Sequence, residues 1–162
     1  MEIQITCQKE IPGIEVKTIE QKLEIILEDL GCHDKELSIL FTDDGSIARL
    51  NEQYLNRKGP TNVLAFPMAG ELIPGVDSTM LGDVVVSVDT AIRESKGMCE
   101  PLAYTIDRLL VHGVLHLLNY DHEKSMLGAE RMEKEEKRLM ALITLFCNQA
   151  HNGGMRYGTF SS

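Results

Sequence analysis

Residues 109–122 read LLVHGVLHLLNYDH, and within eleven of them stand three of the chain's five histidines, at the spacing H-x3-H-x5-H. His112 and His116 are four apart in an apolar run of good helix formers, so a helix here projects both rings from adjacent turns of one face. Such a pair is a two-point clamp for a metal ion. His122 follows Leu117, Leu118, Asn119, Tyr120 and Asp121, too few residues for another turn and a return, so the helix has to stop and the chain fold back. Asn119 is the expected stopping point, because asparagine tolerates the left-handed backbone better than most residues other than glycine.

Three neutral imidazoles suit zinc best among common ions, so one Zn2+ per chain is expected, with Ni2+ or Co2+ able to substitute. Three protein ligands leave a fourth position for water or substrate, and zinc lowers the pKa of water toward about 7. A lone histidine on an apolar helix face is usually a satisfied core residue, but three at this spacing are poorly explained that way. Zinc peptidases of the H-E-x-x-H type carry a glutamate as general base after the first histidine. Here that residue is Gly113, so peptide cleavage lacks its usual proton acceptor. Asp83 or Asp121 is a candidate to orient a metal histidine through its second ring nitrogen, although either also suits an exposed cap or turn.

A length of 162 residues with 43% hydrophobic content fits a single domain over 1–150. Residues 151–162 (HNGGMRYGTFSS) lack apolar periodicity and read as a frayed tail, and His33 and His151 read as ordinary surface residues. Cys7, Cys32, Cys99 and Cys147 form no C-x-x-C pair, and Glu2 and Gln4 interrupt any apolar leader, which leads to an expectation of inert, reduced thiols in a cytoplasmic protein. No segment approaches the roughly 20 apolar residues of a membrane helix, so no membrane partner is expected. A net charge of -9 counts against nucleic acid. Yet no acid stands between Glu52 and Glu71, and Arg57 and Lys58 form a small basic island there. They suit charge developing on a phosphate, or else are solvated loop charges.

Alternation over residues 2–7 (EIQITC) predicts a strand, and Ile19, Leu23, Ile26, Leu27 and Leu30 predict a helix capped by Thr18 and ended by Gly31. ELSILFT (36–42) predicts a second strand, followed by a helix capped by Asp43 or Asp44. After the turn-rich NRKGP come a short strand at 61–67, a loop at 68–80 and a β-branched strand at 81–88. Asp89 is placed to cap a helix ending near Gly97, and Pro101 suits the first turn of the long helix through Leu117. Residues 124–150 form the last helix, with Glu130–Lys134 and Glu133–Lys137 pairs, and its EKEEKR run reads as a solvated face. The sum is an α+β domain, a small four-stranded mixed sheet packed against about five helices with the metal at one end.

HGVLHLLNYDH resembles the signature of the YbeY family, bacterial endoribonucleases that mature ribosomal RNA. LNEQYLNRKGPTNVLAFP and LGDVVVSVDTA resemble that family's other two marked segments, in the same order, and the similarity spans roughly residues 2–146. The resemblance implies a zinc-dependent, single-strand-specific endoribonuclease acting in small-subunit rRNA 3′-end processing and ribosome assembly. It implies single-stranded RNA and small-subunit ribosomal proteins as partners, and a zincin-like metal-bearing helix. His112, His116 and His122 fall on the family's metal positions, and Thr61, Asn62 and Asp83 on its other marked polar positions, which implies substrate contacts for the first two and a catalytic place for Asp83.

Two departures stand out: Asn119 replaces a usual glycine, and Leu55 a usual arginine after the tyrosine. Arg57, two positions on, is placed to deliver a guanidinium to the same space, with Lys58 beside it for the substrate. A non-catalytic RNA-binding assembly factor with structural zinc, and a metallohydrolase of another substrate class, are the rival readings.

Overall fold

The strands β1 (Glu2–Cys7) and β2 (Glu36–Thr42) are each followed by a helix, α1 (Val16–Asp29) and α2 (Asp44–Leu55); β3 (Val63–Pro67) and β4 (Met80–Ser87) then come in succession, before α3 (Val88–Gly97), α4 (Leu102–Leu117) and α5 (Met126–Gln149). The structure is a computed structural model and describes residues 2–68, 79–118 and 126–149. The expectations for Asn119, Asp121 and His122, for most of the loop after residue 68, and for the tail from 151 lie outside the described residues.

The sheet runs β1-β2-β4-β3, with β1, β2 and β4 parallel and β3 antiparallel to β4 at the edge. This is the mixed sheet of an α+β fold, as expected. Local chemistry moved several boundaries. Helix α1 starts at Val16 rather than after Thr18, and the flanking Glu15 makes no side-chain cap. Asp43 caps α2, accepting from the Ser46 amide at 2.8 Å. Ser87, not Asp89, caps α3 by accepting from the Thr90 amide at 3.2 Å, so the strand ends one residue earlier than expected. A hydroxyl at the last strand position satisfies an otherwise orphaned helix donor without an intervening loop. The Glu133–Lys137 pair is present at 3.0 Å. All four cysteines are free, Cys32 and Cys147 buried, Cys7 and Cys99 exposed.

Burial divides the sheet into unequal sides. Leu37, Ile39, Phe41, Val84 and Val86 join α1, α3, α4 and α5 in the main core, while Val85 and Leu64 meet Ile47 of α2 in a small second cluster. Within the main core α4 lies very close to β4. A Cβ added at Gly113 would stand 2.6 Å from one γ-methyl of Val84 and 3.1 Å from the other. Gly82 has φ +143, and a Cβ there would stand 2.4 Å from the Phe66 carbonyl oxygen. Only glycine adopts that backbone and leaves room for the edge strand. A buried ion pair fixes α4 lengthwise, with Lys22 Nζ of α1 at 2.9 Å from Asp107 Oδ2. Among the described residues no helix is long and apolar enough to cross a membrane.

These contacts set two expected outcomes for denaturant unfolding. Gly113→Ala gains about 1 kcal/mol of helix propensity but overpacks a short, stiff valine at a cost of about 1–3 kcal/mol, so stability falls; an unchanged or raised midpoint would show that α4 stands off the sheet. Asp107→Leu strips a buried ammonium of its carboxylate and loses about 3–5 kcal/mol, and adding Lys22→Met recovers much of that loss. If the double variant is as unstable as the single one, the pair is not the source of the effect.

Candidate metal centre

Helix α4 is buried at Thr105, Ile106, Asp107, Leu109, Leu110, Val111, Gly113, Val114, Leu115 and Leu117. Tyr104, Arg108, His112 and His116, one every fourth residue, stay partly open. That spacing puts them along one line of the helix surface, and the two histidines occupy its C-terminal end. Their Nε2 atoms face each other at 2.8 Å, with ring centroids 4.3 Å apart and planes inclined at 65°. At the back of the His112 ring, Nδ1 meets the carboxylate of Glu136 on α5.

The pair opens into a cleft of about 380 Å³ lined by Leu55, Arg57, Thr61, Asn62, Val63, Leu64, Ala65, His112, Gly113 and His116. Two local devices bring the α2–β3 connection here. Asn56 takes the left-handed conformation at φ 56 and ends α2, turning the chain so that Arg57 follows over the cleft. The buried Asn51 then donates its side-chain amide to the Gly59 carbonyl at 3.0 Å, fastening the loop from inside. The start of β3 is held by the Ser87 amide, which donates to the Asn62 carbonyl at 2.9 Å.

Of the residues singled out in the sequence, the structure gathers His112, His116, Arg57, Thr61 and Asn62 around one space. Asn62 spends an amide hydrogen on Glu94 at 2.9 Å, so part of its polar capacity holds α3 in place. Lys58 is exposed beside Arg57 and is not among the lining residues. Asp83 is exposed, and because its neighbour Val84 points at Gly113, strand alternation turns Asp83 to the α2 side of the sheet. The structure therefore does not bring Asp83 to the histidines. The carboxylate that does meet a ring is Glu136, which the sequence reading placed within a solvated run. A signal was available: Glu136 lies four residues from both Met132 and Met140, which are buried on the inward face of α5.

Two imidazole nitrogens sharing a tetrahedral zinc at ~2.0–2.1 Å stand about 3.3 Å apart, so a small opening of the pair accommodates an ion. The donors are imidazole nitrogens, a ligand type that zinc takes. Among the described residues no third histidine, cysteine or carboxylate completes a group of three, and His122 lies outside them. Among the described lining residues there is also no carboxylate, and Arg57 is the cation. In a chain of net charge -9 that is a local exception suited to an anionic substrate.

The family model described as Endoribonuclease YbeY matches residues 3–144. Relatives described as Endoribonuclease YbeY include one from Syntrophotalea carbinolica, 44% identical over 131 residues that cover 80% of this chain and 87% of the relative. One from Geobacter sulfurreducens is 36% identical over 156 residues, covering 96% of this chain and 99% of the relative. One from Aquifex aeolicus is 46% identical over 116 residues, covering 72% and 73%. A solution structure of a Thermotoga maritima protein superposes with a TM-score of 0.63 at 20% identity over 97% of both chains, a likeness of fold.

His112→Ala and His116→Ala are each expected to abolish stoichiometric zinc uptake in elemental analysis of purified protein, whereas Asp83→Asn keeps the wild-type zinc content. Loss of zinc from Asp83→Asn would contradict the placement of that side chain away from the pair.

Proposed function

The chain belongs to the YbeY family of endoribonucleases, and from that premise we propose that it hydrolyses phosphodiester bonds in single-stranded RNA with one zinc ion held by His112, His116 and His122. The observation that carries this reading is the sharing of one acid-free cleft, among described residues, by the imidazole pair and Arg57. A zinc ion in that place supplies Lewis-acid polarisation and a lowered pKa for water, with Ni2+ or Co2+ able to stand in.

The chain's own residues position and offset charge. The Arg57 guanidinium offers paired donors matched to two phosphate oxygens and takes up charge that grows during displacement. It stands in the cleft where Leu55 offers only an apolar wall. Thr61 contributes a hydroxyl to the same lining, and Lys58, exposed next door, attracts the strand at longer range. A glutamate in place of Gly113, as in zinc peptidases, would put its Cβ 2.6 Å from a Val84 γ-methyl and so would require α4 and β4 to move apart. The reading therefore favours phosphodiesters over peptides. Ribosomal RNA at the small-subunit 3′ end is the substrate this proposal carries with it, together with small-subunit ribosomal proteins as proposed partners and the cytoplasm as the proposed place of action.

Purified, zinc-loaded protein is expected to cleave single-stranded ribosomal RNA fragments, and Arg57→Ala to lower kcat/KM by about 10²–10³-fold, the usual loss for a donor aimed at developing charge. An unaltered rate in Arg57→Ala alongside a dead His116→Ala would remove Arg57 from the reaction. Support of ribosome maturation by a folded, metal-free protein would instead favour an RNA-binding assembly factor, a reading to which the net charge of -9 lends its weight.

A further inference from the structure

The inward-facing surface of α5 is apolar at Met132, Leu139, Met140, Ile143 and Cys147, which pack into the main core. Glu136 interrupts that surface. Its neighbours pair along their own helix, Glu133 with Lys137 at 3.0 Å and Glu135 with Arg138 at 2.8 Å. Glu136 is about as exposed as Glu135, 25% against 24%, but it alone of the three reaches across to α4, where it meets Nδ1 of His112. A carboxylate set into an apolar helix face costs desolvation that a leucine or methionine would avoid, and α5 is already seated on α4 by the buried residues around it. The contact is therefore poorly explained as a fastener.

We propose that Glu136 is a positioning residue for the metal centre. A carboxylate at Nδ1 accepts a hydrogen bond from the ring N–H, so His112 is held as the Nδ1–H tautomer, and its Nε2, 2.8 Å from Nε2 of His116, is left with a lone pair for a ligand. An unconstrained imidazole favours the opposite tautomer, with its proton on Nε2, where it would block a ligand. The carboxylate also fixes the ring plane and raises the basicity of the coordinating nitrogen. This inference rests on the reading of the pair as metal ligands.

The test uses full-length Glu136→Leu, which keeps the apolar packing of α5, and Glu136→Gln, whose amide oxygen still accepts from Nδ1. Nitrogen-resolved NMR of metal-free protein reads the His112 tautomer, and competition with a chromogenic chelator reads zinc affinity. Wild type is expected to show Nδ1–H at His112. Glu136→Leu is expected to shift the ring toward Nε2–H and weaken zinc binding by about 10–100-fold, with an unfolding midpoint as high as wild type. Glu136→Gln restores the tautomer and most of the affinity. The inference is overturned if Glu136→Leu keeps the wild-type tautomer and zinc affinity, or if both variants lose zinc only in step with their unfolding midpoints. If wild type takes up no zinc, the metal reading itself fails, and the tautomer measurement still decides what Glu136 does to the ring.

Discussion

The contact of α4 with β4 is the constraint from which the rest follows. Gly113 lets the helix settle against Val84, at a separation that a single methyl group would disturb. A helix so deeply sunk is buried at most positions and keeps one line of partly open side chains, which ends in His112 and His116. The same glycine denies the chain a carboxylate after the first histidine. Packing and chemistry thus turn on one residue: the helix that lies close enough to present its imidazoles at the edge strand has no room for the peptidase base.

The cleft is completed by the connection from α2 into β3, and here the fold uses small polar devices. Asn56 ends the helix in a left-handed turn, Asn51 ties the following loop from within, and Asn62 shares itself between β4 and α3. Their effect is to set Arg57 across from the histidines while the acids of this strongly acidic chain stay outside the described lining. Gly82, with its positive φ and the edge-strand carbonyl close by, lets β3 pair with β4 below α4.

Much of the fold was legible because periodicity and burial agree. Strands β1, β2 and β4 and helices α2, α4 and α5 lie within a few residues of where alternation and helical spacing put them. The boundaries that moved did so for capping reasons: a serine at the strand end served α3 in place of Asp89, and α1 began before its apolar stripe without any side-chain cap. In the site, local spacing was enough for His112 and His116, since both sit on one helix. It was not enough for their carboxylate partner, whose contact spans 24 positions in the chain. Asp83 seemed eligible by its motif, but the alternation that sends Val84 inward sends it to the other side. Glu136 was hidden by composition, as one acid in a charged run. Only its register with Met132 and Met140 marks it as inward.

The central claim is that a zinc ion is held by imidazole nitrogens with a position left over for a reactant. X-ray absorption at the zinc edge of the purified, zinc-loaded protein tests it most directly. The account predicts three imidazole nitrogens at about 2.0–2.1 Å and one further light, exchangeable ligand. A sulfur neighbour, or a shell closed by four protein ligands, would contradict it.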